Sequence, residues 1–390
     1  MKKYYLLFAL SSLVIAGCGT MHAAGGANTE QEQIARSYRD NGDVEASIET
    51  YKKLIEANPH HFNSVLYQHE IMRTTEGLSD PLLLVDEIKH TLQMFKTACD
   101  ENYEGANPEA IQLEHDALGK YISSKGKQFN ALYQKLKNNI YYSVAMEIYK
   151  VFIENFGDSK DYCEILYYLS DMQYFNEDYH AAATGYTKVL DECNSETRWE
   201  DKGDYQSVYK DAAHGAVLAY DKIVKSDACP KMPEKTDEMY EKQAYPEYPI
   251  AECEMNFINA AIRYEEILKN NRSPWSEFST NRLYMTAKIY FDHNQFDKAI
   301  SLFREVVQNP PESEITPASD VTIYAANYIL EIYRLTKQYE KMFTTIQEFK
   351  DNSRLMSYVS SLAKEFFDLM NDYENALLEK FKEDKSTSEK

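Results

Sequence analysis

Beyond Thr29 the apolar positions recur with a period near 3.6, in blocks of about 12 to 16 residues, and predict helix almost throughout. The start of the chain follows another pattern: Lys2 and Lys3, an apolar run from Tyr4 to Ala16, then Gly17 and Cys18. That run is too short for a bilayer of roughly 30 Å, which takes about 20 residues to cross. A basic start, an apolar centre and small residues at the end form the layout of an export leader.

Within the helical region one spacing repeats. A large or amide residue is followed nine positions on by a small or flexible one, then by large residues four and three further on. It occurs as Tyr38, Ser47, Tyr51 and Leu54, with Gly42-Asp43 at the turn and Pro59 closing the unit. Further copies are Leu136, Ala145, Tyr149, Phe152 and Gln173, Ala182, Tyr186, Val189. The clearest is Ala287, Tyr290, Ala299, Phe303, Val306, closed by Pro310 and Pro311, and a weaker one is Tyr333, Met342, Ile346, Phe349. In this spacing the chain resembles the tetratricopeptide repeat family. The resemblance implies an all-α fold, a right-handed superhelix of antiparallel helix pairs. The small residue lets paired helices approach, and the aromatic four on fills the space against the next pair. Ser47 and Ala145 are 98 residues apart and Ala182 and Ala299 are 117 apart, each with room for about three divergent units. Helices over Glu109–Ser123 and Tyr209–Val224 are expected there.

Residues 1–17 are read as the leader and 18–29 as a tether. Repeats follow at 30–225 and 253–350, separated by an insertion at 226–252. Pro230, Pro233, Pro246 and Pro249 make that insertion unsuitable as a helix interior and longer than an ordinary connection. Arg354–Phe381 reads as a long amphipathic helix, so 351–381 is expected to cap the last repeat. Residues 382–390 are expected as a frayed tail.

The formal charge of −21 becomes −23 once Lys2 and Lys3 leave with the leader. Such acidity argues against nucleic acid as a partner and against electrostatic adhesion to anionic lipid. With 44% hydrophobic residues the chain has material for a substantial core, and the 32 tyrosines suit grooves and interfaces. Tyrosines off the repeat positions (Tyr141, Tyr142, Tyr167, Tyr168 and Tyr174) are candidates for a groove lining.

The four residues Ile15-Ala16-Gly17-Cys18 resemble the lipobox of bacterial lipoproteins. The resemblance implies a diacylglycerol on the Cys18 thiol, an acylated new amino terminus and a membrane-anchored protein. Gly19 stands where an aspartate would direct inner-membrane retention in enteric bacteria, so the outer membrane, facing the periplasm, is the expected location. Export makes disulfides durable. Cys163 opens and Cys193 closes one helix pair, which places them at the same end. Cys229 and Cys253 flank the proline-rich insertion, and Cys99 is left over.

No G-x-S-x-G, H-E-x-x-H, phosphate loop or C-x-x-C occurs. The histidine cluster His60, His61 and His69 with Glu70 reads as a solvated helix entry after Pro59. No catalytic residue, metal site or cofactor is expected. Residues 211–224 and 283–307 give a further resemblance, to long tetratricopeptide lipoproteins of delta-proteobacterial envelopes, some tied to gliding motility or surface assembly. It implies a membrane-anchored, non-enzymatic scaffold whose partners are envelope proteins or peptides. The alternative is a glycan-capturing lipoprotein, for which Trp199 and Trp275 would be the tryptophans available to stack on sugars.

Overall fold

The computed structural model describes residues 29–388 except 77, 79, 200–201, 233–238, 240–244, 271–276, 310–316 and 359–360. Cys18, the leader and most of the tether lie outside the described residues. Those described form sixteen α-helices and no β-strand, and consecutive helices fold back as antiparallel pairs. The chain divides into two compact units, residues 1–151 and 152–390.

The turn inside a pair explains the nine-residue spacing. Helices α1 (Thr29–Asp40) and α2 (Val44–Ala57) are joined through Gly42 at φ +80°, whose N–H bonds to Arg39 O at 2.9 Å. The Asp43 N–H bonds back to Tyr38 O at 2.8 Å. Asp43 is also the N-cap of α2, and its carboxylate accepts from Ala46 N at 3.3 Å. Ser47 follows four residues later and donates to the Ala35 carbonyl at 2.8 Å, with both residues fully buried. The same main-chain pattern recurs three times in the second unit. Asp178, Gln295 and Gln338 donate to Gln173 O, Tyr290 O and Tyr333 O at 3.0, 2.9 and 2.9 Å. Glu177, Asn294 and Lys337 take the left-handed position at φ +64°, +57° and +55°. The repeat spacing of nine is thus five residues of turn and four of the next helix.

In the first unit α3 (Asn63–Thr75) and α4 (Leu82–Asp100) precede α5 (Pro108–Leu136), which pairs with α6 (Asn139–Asn155). The 98-residue interval before Ala145 holds these long helices instead of three ordinary units. Asn107 caps α5, accepting from Ala110 N at 3.0 Å, and Pro108 suits its first turn. No proline interrupts the helix until Lys137, at φ +55°, ends it well past Ser123. Gly126 on α5 leaves space for the fully buried Tyr149 ring of α6. The boundary between the units falls within α6.

The second unit holds α7 (Tyr162–Phe175) with α8 (Tyr179–Glu192) and α9 (Lys202–Lys225) with α10 (Glu252–Asn270). It continues with α11 (Glu277–Asp292) and α12 (Phe296–Gln308), then α13 (Pro317–Leu335) and α14 (Tyr339–Asp351). Between Ala182 and Ala299, where three units were expected, the described residues form the longer helices α9, α10 and α11. Beyond α14 the expected single helix is broken. A short α15 (Ser353–Met356), capped by Asn352, precedes α16 (Ser361–Ser388). Ala363, Phe366, Met370 and Leu377 form one stripe of α16 and complete an apolar core with Ile329, Tyr333, Ile346 and Phe349. Helix continues past 381 to Ser388, where a frayed tail was expected. Lysine and glutamate are good helix formers, and Lys382 pairs with Glu379 at 2.8 Å.

Candidate functional site

In the second unit α7, α9, α11 and α13 are the first members of successive pairs, and α7 touches α9 as α11 touches α13. Tyr167, Asp171 and Tyr174 fall at i, i+4 and i+7 on α7, so they share one face. Behind them Tyr186 of α8 is 2% exposed and donates its hydroxyl to Asp171 Oδ1 at 3.0 Å. Gly215 of α9 permits this, because a Cβ there would meet the Tyr186 ring at 2.6–2.8 Å. Burial pushes the Asp171 carboxyl above the usual carboxylate range and nearby Asp211 adds to the rise, against the pull of the Tyr186 hydrogen bond. Asp211 itself is exposed on α9.

The face continues through His214, whose ring meets Phe278 of α11 edge-on at 4.3 Å, with Tyr264 at 5.7 Å. Burial, then the charges of Arg282 and Lys210, hold the His214 imidazole below its usual range. Arg282 lies over the Phe278 ring at 4.8 Å and pairs with buried Asp221 at 3.0 Å. Lys225 reaches the other oxygen of Asp221 at 2.9 Å. On α13, Tyr328 stacks on Phe303 at 5.1 Å, and Tyr324 is 44% exposed. The arrangement is a set of half-buried rings alternating with carboxylates, among them Asp171 and Asp211, whose charges act on one another.

The five tyrosines singled out from the sequence do not form one group. Tyr141 and Tyr142 begin α6, where Tyr141 stacks on Phe129 at 6.1 Å and Tyr142 meets Tyr133 at 5.2 Å. Tyr141 also lines a cavity of about 250 Å³ with Leu84, Phe129, Leu132 and Lys125. Tyr167 and Tyr174 frame Asp171, while Tyr168 donates to Glu164 one turn earlier at 2.7 Å. Asp171, Asp211, His214, Phe278 and Arg282 were not anticipated. Only Asp171 carried a readable signal, its place midway between two tyrosines on the same helical face.

Cys163 and Cys193 are disulfide-bonded, with Cα atoms 5.8 Å apart, and Cys229 and Cys253 likewise at 5.9 Å. Cys99 is free and half-buried, and burial raises its thiol pKa. His69 Nδ1 lies 2.7 Å from buried Glu114, and the His60 ring meets Tyr103. Trp199 is 4% exposed and donates to the Cys193 carbonyl at 2.9 Å, so its face is not offered to a sugar. Trp275 lies outside the described residues. Among the described residues no helix is long and apolar enough to cross a membrane.

Two segments match family models described as tetratricopeptide repeat, residues 32–61 and 283–313. The first begins in α1 and takes in α2, and the second takes in the end of α11 and all of α12. The chain therefore carries tetratricopeptide repeats, and repeats of this kind imply a scaffold for protein–protein interaction. No curated protein matches. Among solved structures, BtubC from P. vanneervenii is 11% identical at a TM-score of 0.32, covering 89% of this chain and 93% of that one. The C-terminal part of a tetratricopeptide-containing protein from Cytophaga hutchinsonii is 15% identical at a TM-score of 0.30, covering 74% and 98%. Yeast Tom70 is 10% identical at 0.24, covering 90% and 91%. Likenesses this remote carry no argument about partners.

Proposed function

We propose that this protein is a lipid-tethered scaffold of the bacterial cell envelope that holds a protein or peptide partner on the first-helix face of its second unit. The face from Tyr167 to Arg282 carries this reading. Half-buried rings beside the Asp171–Asp211 pair suit a segment that offers lysine or arginine together with apolar side chains, since cations favour both carboxylates and ring faces. The formal charge of −21 favours the same class of partner. Cys18 supplies the anchor, at the outer membrane and facing the periplasm. One acyl chain binds marginally and several hold firmly, at ~0.8 kcal/mol per buried methylene. The tethered scaffold serves an envelope assembly, with motility or surface-structure machinery as the setting suggested by resemblance.

Two experiments test the halves separately. Wild-type protein is expected to take up radioactive palmitate and fractionate with membranes, and Cys18→Ala to do neither. Equal labelling of both would remove the tether from the reading. A photoreactive residue at Lys210 is expected to crosslink an envelope protein in intact cells, with capture falling at least fivefold in Asp171→Asn/Asp211→Asn. Undiminished capture would place the partner elsewhere.

A further inference from the structure

The turn between α11 and α12 differs from its counterparts in where two adjacent amides go. The α13–α14 turn also has a glutamine that makes no side-chain cap, Gln338, but its Nε2 stays within the turn, donating to Thr336 Oγ1 at 2.9 Å. In the turn from α1 to α2 the left-handed residue is Gly42 and the N-cap is Asp43; from α7 to α8 the N-cap is Asp178. Both aspartates cap their own helix through the side chain. Here the two positions are Asn294 and Gln295, and Gln295 makes no side-chain cap. Both amides turn outward to another segment instead. Asn294 Nδ2 donates to Pro246 O at 2.8 Å, and Gln295 Nε2 donates to Tyr248 O at 3.0 Å. The Tyr248 N–H completes the set by donating to His293 O at 3.0 Å.

The segment so held, residues 245–250, is the end of the proline-rich insertion. Pro246 and Pro249 keep the residues before them out of helix, so the segment is disposed to be extended. Its far end is fixed as well. Glu254, in the first turn of α10, accepts from Ala251 N at 3.3 Å and faces Nε2 of buried His293 at 2.8 Å. At the near end the Tyr245 ring meets Phe296 at 5.8 Å, beside a cavity of about 350 Å³ lined also by Leu335, Thr336 and Lys337. The segment therefore runs from the start of α10, over the α11–α12 turn, to the turn after α13. The Cys229–Cys253 bond joins the turn that follows α9 to the first turn of α10.

We propose that residues 245–250 are a strap, read through its main chain by Asn294 and Gln295, that fixes the spacing of α11 and α13. Asp43 and Asp178 cap their helices and Gln338 bonds within its own turn, whereas Asn294 and Gln295 direct both amides to the main chain of Pro246 and Tyr248. What the held spacing is for rests on the scaffold reading: Phe278 and Arg282 ride on α11, and Tyr324 and Tyr328 on α13.

The test restores the turn chemistry of the first pair. In Asn294→Gly/Gln295→Asp the left-handed position is kept and the N-cap is improved, while both strap donors are lost. Folding is expected to persist, followed by tryptophan fluorescence in the full chain. Hydrogen exchange at the Tyr248 amide is expected to quicken more than tenfold. Spin labels at Lys288→Cys and Asn327→Cys, on a Cys99→Ser background, are expected to give a broader distance distribution in the double variant. An unchanged Tyr248 amide would mean that the turn does not hold the strap. A freed strap with an unchanged distribution would mean that it covers the turn without setting the spacing. Neither readout needs a partner, so loss of the scaffold reading would leave both results standing.

Discussion

Gly215→Ala sets two physical effects against each other with opposite signs. Gly215 lies inside α9, where replacing glycine by alanine ordinarily stabilises a helix by about 0.8–1.0 kcal/mol. The added Cβ would come within 2.6–2.8 Å of three Tyr186 ring carbons, closer than packed carbons approach. Tyr186 cannot move freely, because it is buried and its hydroxyl is committed to Asp171 at 3.0 Å. Overpacking of this kind costs about 1–3 kcal/mol, and disturbing the hydrogen bond adds about 1 kcal/mol. The net expectation is destabilisation by about 1–3 kcal/mol, or about 2–4 °C of Tm per kcal/mol for a unit of this size. Trp199 and Trp275, the chain's two tryptophans, both belong to the second unit, so their fluorescence during urea unfolding reports that unit alone. Gly157→Ala is the control, since a Cβ there meets nothing within 4 Å. If Gly215→Ala raises the urea midpoint, helix propensity outweighs packing, and the argued fit of Tyr186 against α9 is wrong. Gly126→Ala in the first unit poses the same question, because its Cβ would lie 2.5 Å from the Tyr149 ring. Hydrogen exchange at first-unit amides would answer it, both tryptophans lying in the second unit.

Other consequences are equally open to measurement. The folded state holds the His214 proton less tightly than the ordinary imidazole value of 6.5. Its contribution is therefore present above that pH and lost as pH falls below it, so His214→Gln should reduce the drop in urea midpoint between pH 7 and pH 5. Asp171 has the opposite sign: its raised pKa means that its contribution declines as pH rises from 3.8 through the folded value, and Asp171→Asn should remove that decline. Arg282→Ala leaves Asp221, 6% exposed, with Lys225 as its remaining cation, and should cost about 2–4 kcal/mol; Arg282→Lys should recover part of it. Cys163→Ser opens a loop with a sequence separation of 30, and under oxidising conditions should lower stability by about 3–4 kcal/mol, an effect that a reductant abolishes.

Helix pairing was legible because the repeat positions mark a hydrogen-bonded turn. Tyr38, Tyr290 and Tyr333 each supply the carbonyl that the next helix's N-cap reaches back to, and Ser47, Ala299 and Met342 each donate their N–H back to that cap's carbonyl. The turn itself was legible only at Gly42. Glutamate, asparagine and lysine occupy the left-handed position in the other three, and their side chains do not announce it. The helix expected to end at Ser123 runs on to Leu136, and Gly126 within the extension admits a ring from α6. Much of the candidate face was hidden for another reason. Asp211, His214 and Arg282 belong to different helices, and no spacing within one helix reports which residues of another it meets.

The last helix has a meaning beyond its own packing. A stack of helix pairs is a one-dimensional crystal in miniature: the surface that receives each pair resembles the surface that pair offers to the next. Such a stack ends only when a final element covers the growing plane with a face that nothing further fits. The stripe Ala363, Phe366, Met370 and Leu377 does this on the inside, and the outer side of α16 carries Lys364, Glu365, Asp372 and Glu379. Without α16 the apolar plane of Ile329, Tyr333, Ile346 and Phe349 would face water, and exposed apolar surface of that kind invites association. The helix is thus the chain's stopping rule, the part that makes one molecule a finite object.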